Sequence, residues 1–166
     1  MGQIMRYGQI RKYDVANGPG IRTSLFITGC PICCKGCFNK AYQDYSAGEV
    51  WTKKQEDLII EYLLLDHVSG LSILGGEPLA QKDDDLLQLL IRVKKQAKKD
   101  IWLWTGYIYE HMNSYQKNIL RYIDILVDGP FILEKKDLNL RFKGSSNQRI
   151  IDMKKTVSCS DIVLWN

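Results

Sequence analysis

Four of the five cysteines fall within eight residues, at Cys30, Cys33, Cys34 and Cys37, and only Cys159 stands apart. Crowding of this kind points to metal ligation where nothing in the chain signals an oxidising compartment. The opening Met1-Gly2-Gln3-Ile4-Met5-Arg6 has no apolar signal-peptide core, and Arg6 breaks the myristoylation pattern. No run approaches the ~20 apolar residues of a membrane helix. The expectation is a cytoplasmic protein with reduced thiols. Its 166 residues are one domain's worth, so 1–166 is expected to be a single domain.

Cys30, Cys34 and Cys37 form a C-x3-C-x2-C array. Thiolates ligate both iron–sulfur clusters and structural zinc, so the number of ligands separates the two. Three cysteines can hold three irons of a cubane and leave the fourth open to a substrate. A zinc site needs a fourth ligand, drawn from Cys33, Cys159, His67 or His111. Pairing Cys30 with Cys33 and Cys34 with Cys37 as two knuckles lacks the usual spacer between the pairs. A zinc-binding interaction domain is therefore the remote alternative. Cys33 reads as a spacer, Cys159 as a core thiol, and the two histidines as surface or packing residues.

Around the cysteines, strand and helix signals alternate. Ile21 to Thr28 reads as a strand ending at Gly29-Cys30, with a loop to about Val50. Thr52 and Gln55 form a capping-box pattern, and Leu58, Ile59, Tyr62, Leu63 and Leu65 share one helical face. Leu71 to Leu74 is a buried strand stopping at Gly75-Gly76. Asp83 to Asp85 open a helix that Lys94, Lys95, Lys98 and Lys99 close, in the order the helix dipole favours. Ile101 to Trp104 is apolar on both faces, as a central parallel strand should be. A helix is expected from about Tyr109 to Tyr122 and a strand over Ile123 to Val127. Arg149 to Ile151 and Ile162 to Leu164 are possible last strands. Repeated β-α units imply an α/β fold with a parallel sheet and right-handed crossovers. Ligands then bind beyond the C-terminal strand ends. The cysteine loop, Gly75-Gly76-Glu77-Pro78, Thr105-Gly106-Tyr107 and Asp128-Gly129-Pro130 all fall on that rim.

Charge is less informative. Lys+Arg number 23 against 19 Asp+Glu, a net +4, and the lysines come as scattered pairs. A nucleic-acid stripe is not expected, although a basic face can steer an acidic protein partner. No Ser-His-Asp or Cys-His hydrolase arrangement is visible.

Thr28-Gly29-Cys30-Pro31-Ile32-Cys33-Cys34-Lys35-Gly36-Cys37-Phe38-Asn39 resembles the three-cysteine motif of radical S-adenosylmethionine (SAM) enzymes. Asn17-Gly18-Pro19-Gly20-Ile21-Arg22 resembles the glycyl-radical activating enzymes among them. Gly36-Cys37-Phe38-Asn39, Asp128-Gly129-Pro130-Phe131 and Gly144-Ser145-Ser146-Asn147-Gln148-Arg149 are similar to the branch that activates anaerobic ribonucleotide reductase. The resemblance runs from about Tyr7 to Asp152. It implies an open, partial (β/α) barrel of parallel strands, a truncated radical SAM core. It also implies one 4Fe-4S cluster on Cys30, Cys34 and Cys37, with SAM bound to the open iron.

Gly75 and Gly76 would then let backbone carbonyls approach the SAM ammonium, with Glu77 fixing that end. Asp128 is a candidate for the ribose, although Asp-Gly-Pro is equally a turn signal. Gly36 stands where the wider superfamily usually has an aromatic residue, which leaves Phe38 to share the adenine-packing role. Thr105 and Tyr107 are rim candidates, and Gly144 to Arg149 a loop near partner or cofactor. The implied reaction passes one electron to the SAM sulfonium and breaks its C5′–S bond. The resulting 5′-deoxyadenosyl radical takes hydrogen from a glycine of the large anaerobic ribonucleotide reductase subunit. No side-chain acid or base is needed, so no catalytic residue is named beyond the cluster ligands. The implied partners are that subunit and a one-electron donor such as flavodoxin. The nearer alternative is an activator of the pyruvate formate-lyase type, which is generally longer.

Overall fold

The computed structural model describes residues 3–166. Seven strands form one open sheet in the order β3-β1-β2-β4-β5-β6-β7. These are β1 (Arg6–Asp14), β2 (Arg22–Ile27), β3 (Glu49–Val50), β4 (Gly70–Gly75), β5 (Asp100–Trp104), β6 (Ile125–Asp128) and β7 (Arg149–Asp152). The helices are α1 (Lys53–Leu63), α2 (Asp85–Arg92), α3 (Ser114–Leu120) and α4 (Met153–Cys159).

The central β2, β4, β5 and β6 are parallel, in register Leu25↔Ile73 and Ile73↔Leu103. At one edge β1 and β3 run antiparallel, and at the other β7 runs antiparallel to β6. The sheet is therefore mixed. The all-parallel expectation holds for its centre and fails at both edges.

Strand alternation divides the residues between two faces. Leu25, Ile27, Leu71, Ile73, Ile101, Leu103 and Leu126 meet Ile59, Leu63, Leu86, Leu89, Leu90, Ile119 and Leu120 of α1, α2 and α3 in one apolar core. On the other face Trp102, Ile125 and Val127 pack with Trp104, Phe142, Ile150 and Trp165. Beside this aromatic group lies Arg22, 0% exposed. Its Nε donates to Ser72 Oγ at 2.7 Å and Nη2 to the Leu71 carbonyl at 2.9 Å. Asp100 Oδ1 stands 2.9 Å from Nη1 and supplies the counter-charge that a buried guanidinium requires.

Local signals explain most of the element ends. The Thr52–Gln55 capping box is present at α1. α3 begins at its own box, with Asn113 accepting from Gln116 N at 2.8 Å. The helix expected from Tyr109 is therefore a short 3-10 turn at Tyr109–His111 followed by α3. α2 passes into a π-helical turn over Val93–Ala97 and ends at Lys98, which adopts φ +53°. Leu164 forms only an isolated bridge to Ile151, where a strand was expected. Among the described residues, no helix is long and apolar enough to cross a membrane.

Candidate iron–sulfur and cofactor site

The cysteine loop leaves β2 at the C-terminal rim and folds back over it. Gly29 N donates to the Tyr42 carbonyl at 2.8 Å and Cys30 N to the Gln43 carbonyl at 2.9 Å, which closes the loop. Beneath it lies a cavity of about 580 Å³, within the usual range for small-molecule sites. Cys30, Cys34 and Cys37 line it together with Phe38, Gly75, Gly76 and Glu77. Thr105 and Gly106 close the far wall, with Phe26, Leu74 and Trp104 below.

Of the three lining sulfurs, that of Cys37 accepts a backbone hydrogen bond. Asn39 N donates to Cys37 Sγ at 3.3 Å. The amides of Ile32 and Cys33 lie close to Cys30, and that of Phe131 close to Cys34. Such N–H···S bonds stabilise the electron-rich sulfurs of cluster ligands and tune cluster potential. The donor set thus fits an iron–sulfur cluster. Burial pushes the Cys30 and Cys34 thiols up, with those amides pulling the other way. A ligated metal reverses that balance by holding the thiolate.

Cys33 is set apart from the other three. It adopts φ +49°, is exposed, and turns its Sγ to the Cys30 carbonyl at 3.1 Å. Two knuckles around a single ion are therefore not the arrangement present. Among the described residues, no three His, Cys, Asp or Glu side chains converge tightly enough for one metal ion. Cys159 is exposed on the last helix, which corrects the expectation of a core thiol.

Three expected contacts have other geometries. Gly76 lines the cavity, but a β-carbon there would stand 2.5 Å from the Gly29 carbonyl oxygen and 2.7 Å from that of Tyr42. Its bareness is required by the close approach of the cysteine loop. Gly36 adopts φ +72°, and its missing β-carbon faces Leu133; it is absent from the cavity wall. An aromatic side chain would be strained there. Asp128 is 1% exposed, and its carboxylate is held by Arg149 Nε at 2.9 Å, Arg149 Nη2 at 2.5 Å and Tyr109 N at 2.9 Å. It braces the β6 end, and Gly129 lines the cavity in its place.

Glu77 sits at the centre of the rim, 1% exposed. Oε1 accepts from Leu79 N at 3.0 Å and Thr105 Oγ1 at 2.7 Å, and Oε2 accepts from Gly106 N at 2.7 Å. The carboxylate thereby ties the end of β4 to the end of β5. Oε2 keeps lone-pair capacity toward the cavity. Burial pushes this carboxyl up from its ordinary 4.5 to about 7, against those three hydrogen bonds.

A pH effect on stability follows. Between 4.5 and about 7 the folded chain retains a proton that the unfolded chain has lost. Stability therefore falls as pH rises through that window, by about 3 kcal/mol once it is crossed. Urea midpoints of the metal-free protein at pH 5 and 7.5 should show the drop, and Glu77→Gln should flatten it. Equal slopes in the two proteins would assign the drop to another group.

The residues that sequence reading missed are those that work through space. Asn39 serves the Cys37 sulfur through its backbone, and Gln148 clasps the rim. Its Oε1 accepts from Gly144 N at 2.8 Å and Ser145 N at 3.1 Å, while Nε2 donates to the Gly129 carbonyl at 3.1 Å.

Fold and site together define a single-cluster iron–sulfur protein, and the family described as "4Fe-4S single cluster domain" matches residues 16–151. Anaerobic ribonucleoside-triphosphate reductase-activating proteins align over nearly their whole length. That of Vibrio cholerae is 45% identical over 150 residues, covering 88% of this chain and 97% of its own. That of Escherichia coli K12 is 41% identical over 148 residues, covering 87% and 96%. The protein of that name from phage T4 is 36% identical over 150 residues, covering 88% and 93%. The chain belongs to the anaerobic ribonucleoside-triphosphate reductase-activating proteins.

Proposed function

We propose that this chain activates anaerobic ribonucleoside-triphosphate reductase by installing a glycyl radical on its large subunit, using SAM at a 4Fe-4S cluster. The observation that carries the reading is that Cys30, Cys34 and Cys37 line one cavity together with Gly75-Gly76-Glu77. In this reading the central parallel strands are a truncated (β/α) barrel, and 1–166 is one radical SAM domain in the cytoplasm. Cys30, Cys34 and Cys37 hold three irons. When bound, the cluster and SAM supply reductive C5′–S cleavage and the radical that removes hydrogen from the target glycine.

The protein's own residues bind, orient and exclude water. The backbone of Gly75 and Glu77 Oε2 meet the ammonium end. A positive group arriving there offsets the burial that lifts the Glu77 carboxyl, so the anion is favoured on binding. Phe38 offers a ring to the adenine, and its centroid lies 5.0 Å from that of Phe131. Asp128 acts by positioning: it fixes Arg149 and the Tyr109 amide behind the wall that Gly129 forms. The electron comes from a one-electron donor of the flavodoxin kind.

The test is anaerobic incubation of the reduced, reconstituted protein with SAM, with and without the large reductase subunit. A glycyl radical signal on that subunit is expected. Release of 5′-deoxyadenosine should be at least about tenfold slower without the partner, because an open site exposes radicals to side reactions. A reductase that stays radical-free while a pyruvate formate-lyase becomes activated would transfer the chain to the nearer alternative. Zinc in place of iron and sulfide would make it a binding module.

A further inference from the structure

Residues 132–144 leave the β6 end as a flap over the cavity, and the reaction chemistry does not account for its outer surface. The flap is held firmly at its base. Lys136 pairs with Ser145, and Ser146 N donates to the Lys135 carbonyl at 2.9 Å. Ile132 N donates to the buried Ser145 Oγ at 3.2 Å, and Gln148 clasps Gly144. Yet all seven residues from Leu133 to Asn139 are exposed. Leu138, 80% exposed, is the most open large apolar side chain described, and the half-exposed ring of Phe38 lies beside the flap. Lys136 Nζ stands 5.0 Å above that ring.

Charge on the flap is one-sided. Between Leu133 and Gly144 there are four basic residues, Lys135, Lys136, Arg141 and Lys143, against Glu134 and Asp137. Asp137 is further occupied by Asn139, whose N and Nδ2 both donate to its Oδ1. Among the described residues none of the four cations is in an ion pair, although Lys143 donates to the Gln148 carbonyl at 2.9 Å. An ordered projection with an exposed apolar tip and uncompensated cations has the composition of an interface core with a steering rim.

We infer that this flap is the docking surface for the large reductase subunit, which meets it with an acidic segment bearing an apolar anchor for Leu138 and Phe38. The inference rests on the proposed function and adds the surface and the partner's chemistry. Its geometry is continuous with the site, because Leu138 and Phe38 line the cavity mouth and also face outward. Any backbone glycine brought to the cavity from that side must cross them. Lys135, Lys136 and Arg141 do not line the cavity. Lys136 and Arg141 lie over the Phe38 and Phe142 rings, each at 5.0 Å, and all three charges are open to a partner.

The test compares the reconstituted wild-type protein with Lys135→Glu/Arg141→Glu. Three quantities are measured: affinity for the purified large subunit at low and high salt, iron content, and partner-independent SAM cleavage with a chemical reductant. The expected result is wild-type binding that weakens with salt. The variant should bind about tenfold or more weakly and lose most of that salt dependence, with iron and uncoupled cleavage unchanged. Equal affinity of the two proteins, with the reductase still activated, would overturn the docking surface and leave the function standing. A wild-type protein that cleaves SAM but neither binds nor activates the reductase would remove both. Loss of self-association in the variant with reductase affinity intact would assign the flap to a contact between copies of this chain, against the inference.

Discussion

Alanine at Cys30, Cys34 or Cys37 is expected to abolish the cluster. Alanine at Cys33 or Cys159 should leave iron and sulfide near wild-type levels after anaerobic reconstitution. The contrast between adjacent Cys33 and Cys34 is the sharpest part. Both lie in one loop, but Cys34 lines the cavity, whereas Cys33 is exposed and turned to a carbonyl. A cubane that loses one of three protein thiolates has no replacement ligand within the cavity wall. Iron per chain should fall from about four to a small residue in each of the three variants. A Cys33 variant as depleted as the Cys34 variant would show that the loop rearranges on loading and that the assignment is wrong.

Gly76→Ala should be nearly as damaging, and for a reason that only the structure supplies. The added methyl meets two backbone carbonyls, of Gly29 and Tyr42, and neither can swing aside as a side chain would. The same carbonyls anchor the rim, since Glu77 N and Gly29 N donate to them, each at 2.8 Å. The cysteine loop must therefore lift away from β4, at a cost of about 1–3 kcal/mol or more. Iron retention and thermal stability should fall together. Gly106→Ala is the control, because its methyl would press on the flexible end of Ile32, 2.5 Å away. That variant should keep its iron. If Gly76→Ala held a full cluster and lost only SAM affinity, the glycine would face the ligand after all.

How much of this was legible beforehand follows from what each residue leans on. The parallel centre was readable because β4, β5 and β6 are largely buried on both faces and read as short apolar runs, and β2 does so in its second half, Leu25-Phe26-Ile27. β1 escaped notice because its sequence, Arg-Tyr-Gly-Gln-Ile-Arg-Lys-Tyr-Asp, is that of a charged strand near an edge. Without it the antiparallel border was invisible. α4 is a short helix of about two turns whose only cue is Asp152 accepting from Lys155 N. In the site, the cysteine spacing and the Gly-Gly-Glu turn were visible because their chemistry is local. The partners of Glu77 and Asp128 were not, since Thr105 lies 28 residues away and Arg149 lies 21. Backbone amides aimed at sulfur leave no trace in residue type at all.

The aromatic packing of the open face has an optical consequence. Three of the four tryptophans, Trp102, Trp104 and Trp165, belong to that face, with Trp102 centred 5.7 Å from Trp104 and 5.0 Å from Trp165. Indoles at such separations can exchange excitation energy. Trp51 is buried on the helical side, edge-on to Tyr7 at 5.9 Å. Three of the four indoles thus report on the aromatic face, and one of them, Trp104, lines the cavity, so fluorescence during loading samples that face more than the helical core.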